Sequence, residues 1–274
     1  MTVVVGFVGP DGAVMASDSE ATEGADGLTR YDVEKIWTCG DLLCGYTGMG
    51  AVRDRLARAM DEVLPQVMPQ RPNRHQLADV LQQIAQPVLR HVYSNFVPTQ
   101  PGQDASRLAG ILLVIGRDDD GYWLLELDYH NTASFYTDAG FHTVGSGSAA
   151  AYVARALMKG YNVGSREMKA LRLVAYRMVG TCIDSLGGRL GVGGHVQMWS
   201  SQNGAPFAKC EGEELESVRD GVEQWTVAER ESLDQVLSGG SPQPPAEAAA
   251  ALPEDFASDA PAEGKADAIA ADAG

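Results

Sequence analysis

The first residue that could do chemistry is the second of the chain. Thr2 follows Met1, and a side chain this small is expected to let an aminopeptidase remove the methionine. The mature chain would then carry a hydroxyl and a free α-amine on one residue. Such an amine has an unperturbed pKa of about 7.7–8.0, so near neutrality part of it is free to accept a proton. A hydroxyl activated by its own amine is an established kind of nucleophile. Many cytoplasmic proteins begin Met-Thr, so the dipeptide alone says little. Asp18 and Lys35 give it weight. Asp18 ends the run Ala13-Val14-Met15-Ala16-Ser17, and Lys35 is a lone cation within Val33-Glu34-Lys35-Ile36-Trp37. A charge among apolar residues needs a partner, and Asp18 is the obvious one.

Bringing these residues together requires a strand at the start of the chain. Val3–Val8 is a β-branched run, and Gly9-Pro10-Asp11-Gly12 has turn chemistry before the next run, so a hairpin returns Asp18 toward residue 2. Val33–Thr38 and Asp41–Tyr46, split by Cys39-Gly40, read as a second hairpin. The period then becomes helical at Val52, Leu56, Met60, Val63 and Leu64, and again at Leu77, Val80, Leu81, Ile84, Val88 and Val92, with Pro72-Asn73 between. Strands are predicted at Ala109–Ile115, Tyr122–Leu127 and Thr132–Thr137. Helices follow at Ala149–Met158 and Arg166–Ser185, a strand at His195–Ser200 and a last helix over Glu213–Leu237. Runs of like elements point to stacked sheets covered by helices rather than alternating βαβ units.

Composition narrows the function. The 274 residues carry 21 Lys plus Arg against 37 Asp plus Glu, a net charge of −16. Nucleic acid and anionic membranes demand a basic face, so neither is an expected partner. Four cysteines without a CxxC pair and five scattered histidines give no metal or disulfide pattern, and no cofactor is implied. The N-terminus lacks the basic region of a signal peptide, and the longest apolar run, Ala109 to Gly116, is too short to span a bilayer, so a cytoplasmic location is expected. Residues 239–274 are rich in Ala, Pro and acid, with seven carboxylates against Lys265. That composition predicts a disordered acidic tail behind one domain spanning residues 1–238. Gly145-Ser146-Gly147-Ser148 lacks the Lys-Ser/Thr pair of a phosphate loop and the order of a nucleophile elbow.

Taken in order, Thr2-Val3-Val4-Val5-Gly6, then Asp11-Gly12 through Asp18-Ser19, then Lys35-Ile36, then Leu43-Cys44-Gly45-Tyr46-Thr47-Gly48, and later Gly145-Ser146-Gly147-Ser148, resemble a proteasome β-type subunit. That group belongs to the N-terminal-nucleophile hydrolases and includes the ring-forming bacterial relatives of the proteasome. The resemblance implies an α+β, four-layer αββα sandwich and a threonine endopeptidase. Thr2 would be the nucleophile and, through its amine, the proton acceptor. Lys35 would lie beside the hydroxyl, and Asp18 would pair with Lys35. The backbone N–H of Gly45 would stabilise the oxyanion, with Gly48 as the alternative because the hairpin after Lys35 is short. Ser146 would stand near the nucleophile. Thr22 and Gly45 would bind an extended substrate as an added strand, and Ala21, Leu43 and Gly48 would border it, making an apolar first pocket.

The same resemblance implies a peptide or unfolded-protein substrate, a homo-oligomeric ring and an ATP-dependent unfoldase as partner. Its departures are also specific. Glu20 stands where the family usually has arginine, and the late Asp-x-x-Ser-Gly-Gly element is absent. Asp184 and Ser185, followed by Gly187-Gly188 and later Gly193-Gly194, are candidates for the group that holds the Thr2 amine, or else a plain helix end. An amidase of the same class acting on a small molecule and a non-catalytic ring subunit are the competing readings. An N-terminal helical extension, which would cover residue 2 in the second of these, has no counterpart here.

Overall fold

The structure, a computed structural model, describes residues 2–23, 29–70, 72–99, 108–145, 165–186 and 192–238. The chain divides into two compact units, Met1–Val222 and Glu223–Gly274. The predicted helix over 149–158 and the predicted tail over 239–274 lie outside the described residues.

In the first unit, β1 (Val3–Val8), β2 (Gly12–Asp18), β10 (Phe141–Gly145), β11 (Val196–Gln202) and β12 (Ala208–Lys209) form one antiparallel sheet in the order β10-β1-β2-β11-β12. A second antiparallel sheet runs β5-β6-β7-β8-β9, from Ile36–Cys39, Leu42–Thr47, Ile111–Asp118, Gly121–Leu127 and Ala133–Phe135. The strands β3 (Glu20–Glu23) and β4 (Thr29–Asp32) make a separate hairpin. Val4, Met15, Ile36, Leu43, Leu113, Ile115 and Leu124 fill the space between the two large sheets. On the far side of the second sheet, α1 (Gly50–Val67) and α2 (Arg74–Asn95) bury Leu56, Met60, Leu64 and Leu81 against Leu112, Val114, Trp123 and Leu125. On the far side of the first, α3 (Met168–Leu186) packs on β1 and β2. The layers therefore run helix, sheet, sheet, helix, as the sequence predicts.

Every residue of β1 is buried because one face meets the other sheet and the opposite face meets α3. A strand covered on both faces reads as a continuous apolar run, which explains Val3-Val4-Val5. The turn after β1 also starts α3, since the Asp11 carboxylate accepts the Met168 N–H at 3.0 Å. Asn73 caps α2 by accepting from the His75 and Gln76 N–H groups, while Gln76 reaches back to the Asn73 N–H. The boundary between the units falls inside α4 (Gly212–Leu237), and the described part of the second unit is the end of this helix with Ser238. There Val227, Leu233, Val236 and Leu237 are exposed.

Several elements differ from the sequence prediction, which has no counterpart for β12. Val33 and Glu34 precede β5 instead of belonging to it. The β3–β4 hairpin has the polar sequences Glu-Ala-Thr-Glu and Thr-Arg-Tyr-Asp, with no apolar alternation to reveal it. Strand β10 is five residues long and carries His142 and Thr143 in its interior, so its period is weak. Pairing with β1 forms it, helped by the stack of Phe141 on Phe7 at 5.7 Å.

Candidate active site

Asp18 organises the end of the sandwich where β1 begins. Register pairs Val4 with Ser17, which sets the Asp18 side chain against Val3. Asp18 is fully buried; its Oδ1 accepts the Val3 N–H at 2.9 Å and the Lys35 ammonium at 2.7 Å. Its Oδ2 accepts the Gly193 N–H at 3.2 Å, just before β11. Lys35 comes from the segment leading into the second sheet, so this ion pair ties the two sheets together. The ammonium also donates to the Glu20 carbonyl at 2.6 Å. Burial pulls the Lys35 pKa below its ordinary value, against the charge and hydrogen bond of Asp18 and the charge of Glu20. A buried pair of this kind persists only where hydrogen bonds satisfy its remaining atoms, and Asp18 accepts three.

Thr2 is half-buried at the open end of β1, one residue from the N–H bound by Asp18. The neighbouring backbone leaves no spare room. A Cβ on Gly145 would stand 2.0 Å from the Thr2 carbonyl oxygen and 3.2 Å from the Thr47 methyl, and Gly145 has φ +114°. The ends of β1, β6 and β10 thus meet around residue 2. Gly48, directly after Thr47, is exposed with φ +141°. Gly45 is different. The Tyr46 N–H donates to the Lys35 carbonyl at 3.1 Å on the β5 side. Successive N–H groups of a strand point opposite ways, so that of Gly45 faces β7, where Gly45 pairs with Leu113. Its donor therefore points away from β5, into the ladder within the sheet.

The other expected site residues divide. Ala21 is half-buried on β3 opposite Tyr31, and Thr22 lies on the same strand opposite Arg30. Leu43, expected in a substrate pocket, is instead fully buried in the layer between the sheets, with Ile115 opposite it. Asp184 and Ser185 are exposed near the end of α3. Their side chains make no hydrogen bond among the described residues, so the helix-end alternative fits them better than a contact with the Thr2 amine. Ser146 lies outside the described residues.

Sequence reasoning missed the contacts around Gly193-Gly194-His195, although the paired glycines were a signal. The Glu20 N–H donates to the Gly193 carbonyl at 3.1 Å. The buried Ser19 hydroxyl donates to Asp32 at 2.5 Å and accepts the His195 N–H at 2.9 Å. Its one proton is given to Asp32, so the His195 Nδ1 at 3.0 Å must be the donor in that contact. The trio resembles a hydrolytic triad in composition only, because the serine is buried and bonded to the carboxylate. It fastens the β3–β4 hairpin to the strand that follows Gly193.

Among the described residues, no cluster of three His, Cys, Asp or Glu side chains is placed to hold a metal. The thiols offer no competing nucleophile: all four cysteines are buried and unpaired. Burial, then the hydrogen bond that its thiol donates to Asp61, pushes Cys39 up to about 12, and burial, then the charge of Asp18, pushes Cys182 up to about 11. An open groove of about 350 Å³ lined by Gln86, Arg90, Tyr93, Tyr129 and Asn131 lies along α2, on the outer side of the second sheet.

The four-layer αββα sandwich thus carries Thr2 at the open end of its first strand, with the buried Lys35–Asp18 pair beside that strand's first N–H. The family model described as "Proteasome subunit" matches residues 2–186, well over half of the chain. The chain belongs to the proteasome subunit family, a family of peptidase type. Among solved structures it is similar to a Gly-1 mutant of Anbu from Hyphomicrobium sp. strain MC1, at 15% identity and a TM-score of 0.63, covering 86% of this chain and 97% of that one. At that identity the likeness speaks for the fold. Comparison with curated proteins finds no match. No described helix is long and apolar enough to cross a membrane.

Proposed function

We propose that this chain is a threonine-type peptidase with Thr2 as its nucleophile once Met1 is removed. The Thr2 hydroxyl attacks the amide carbonyl, and the α-amine takes its proton, directly or through a water. The C–N bond breaks, the leaving amine receives the proton, and water then hydrolyses the acyl ester on Thr2. Lys35, as an ammonium, favours the alkoxide and disfavours protonation of the neighbouring amine. Asp18 holds Lys35 in place. The backbone N–H of Gly48 is the proposed oxyanion donor, because Gly48 is exposed next to Thr47 whereas the Gly45 donor faces β7. Removing one such donor costs about 10²–10³ in rate. A peptide would lie along β3 near Ala21 and Thr22 as an added strand. As in its family, the chain would work in a homo-oligomeric ring in the cytoplasm, on unfolded protein delivered by an ATP-dependent unfoldase.

The observation that carries this reading is the single Asp18 oxygen shared between the N–H next to Thr2 and the Lys35 ammonium. Mass spectrometry of the intact protein tests it. The expected result is loss of Met1, one adduct per chain from a peptide epoxyketone, and neither adduct nor peptide hydrolysis in Thr2→Ala. Full activity in Thr2→Ala, or in protein that keeps Met1, would refute it.

A further inference from the structure

Glu20 is the position at which this sequence leaves the proteasome pattern, and its setting is unusual. Its side chain is 13% exposed, and one oxygen, Oε1, is buried with no hydrogen-bond partner among the described residues. A carboxylate oxygen in that state is costly and calls for a reason. The other oxygen lies 3.5 Å from the guanidinium of Arg30, which is 43% exposed, and a pair so open to solvent gives weak compensation. The carboxylate lies against Gly193, where a Cβ would stand 2.5 Å from Oε2 and 3.2 Å from Oε1. Glycine at 193 and glutamate at 20 therefore fit each other, and that glycine is the one whose N–H binds Asp18.

The main chain of Glu20 points to the same place, since its N–H is bound to Gly193 and its carbonyl accepts the Lys35 ammonium. Among the described residues, few other charges face Lys35. Asp18 reaches it from β2, and Arg30 of β4 stands beyond Glu20. From α3, Cys182 lies in the field of Asp18, and its thiol is neutral near pH 7. Asp32 and His195 are engaged with the Ser19 hydroxyl. After Asp18, the carboxylate of Glu20 is the further, smaller charge that favours the ammonium, and an arginine there would direct a second cation at the buried amine. We propose that Glu20 is a positioning residue for Lys35: its carbonyl fixes where the ammonium sits, and its carboxylate, seated on Gly193, keeps that amine charged against the cost of burial. For its catalytic consequence this rests on the reading of Thr2 and Lys35 given above. The charged form of Lys35, and activity with it, then persists to higher pH than Asp18 alone would allow.

The chain has five lysines, Lys35, Lys159, Lys169, Lys209 and Lys265, so carbon-13 labelling at lysine Cε gives few signals, and Lys35→Arg assigns the one of interest. Titration of the full chain by NMR is expected to show the Lys35 midpoint about one pH unit lower in Glu20→Gln and lower still in Glu20→Arg. The alkaline limb of kcat/KM on a peptide substrate moves with it. Glu20→Asp keeps the charge and holds the midpoint within about half a unit. An unmoved midpoint in Glu20→Gln, or an equal fall in Glu20→Asp, overturns the proposal. If Glu20→Gln does not fold, Arg30→Gln serves instead: removing the cation that shares Glu20 must raise the midpoint, and no rise overturns it. A midpoint that falls as stated in a protein without Thr2-dependent hydrolysis supports the role of Glu20 and refutes the peptidase reading.

Discussion

Asp18→Asn changes one oxygen into an amide group and tests the centre of the argument. Three donors converge on Asp18: Val3 N–H at 2.9 Å, Lys35 Nζ at 2.7 Å and Gly193 N–H at 3.2 Å. Asparagine accepts through one oxygen only, so either the Gly193 donor or the other two face an NH₂ group. A buried donor left unsatisfied costs about 1–3 kcal/mol. Lys35, at 4% exposure, must then stay charged without its partner or give up its proton. With an unfolded value of 10.5, deprotonation at pH 7.5 costs about 4 kcal/mol, which caps the lysine's share. The total loss should be about 3–5 kcal/mol, the range typical of breaking a buried pair. The pH dependence gives the sharper test. Lys35 holds its proton less tightly in the folded chain than in the unfolded one. Between the folded value and 10.5 the unfolded chain binds more protons, so stability rises with pH, and the cost of burying this amine vanishes above 10.5. The variant lowers the folded value further and opens this window from below. While the wild-type amine keeps its proton, the deficit of Asp18→Asn therefore shrinks by up to about 2.7 kcal/mol from pH 7.5 to 9.5. Urea unfolding of both proteins at the two pH values and one protein concentration measures it. A deficit under about 1 kcal/mol, or one independent of pH, refutes the account of a buried charge held by Asp18.

Two other substitutions address the neighbourhood of Thr2 and the residue that the fold removes from the site. Gly145→Ala should abolish hydrolysis and lower stability by about 2 kcal/mol or more, since the added carbon meets the Thr2 carbonyl at 2.0 Å on a backbone with φ +114°; unchanged kcat/KM would show that the start of β1 is not held there. Leu43→Ala should lose about 2.7–5 kcal/mol by emptying the layer between the sheets, yet leave the ranking of peptide substrates unchanged. A switch in that ranking at intact stability would return Leu43 to the substrate pocket.

The four layers were legible because most of their elements carry a local signal, from the unbroken valines of β1 to the helical period of the leucines in α1 and α2. So was the pairing of Asp18 with Lys35, because a lone cation among apolar residues needs a partner. Gly45 could not be separated from Gly48 on spacing alone, because the direction of an N–H depends on which partner strand takes the next one. Leu43 was misplaced because an apolar residue near a site reads the same whether it faces a pocket or the core. The β3–β4 hairpin is polar, and β10 exists through its pairing with β1.

The sequence by itself determined the residues on which the proposed chemistry draws, since a threonine at position 2, an acid at 18 and a lone lysine at 35 are properties of residue type and order. Only the tertiary structure decided what surrounds them. Gly193 is 175 positions from Asp18, and Glu20 lies on it with an oxygen that no donor among the described residues reaches. Contacts across such separations depend on how strands from distant parts of the chain align, and neither local propensity nor hydrophobic period carries that alignment.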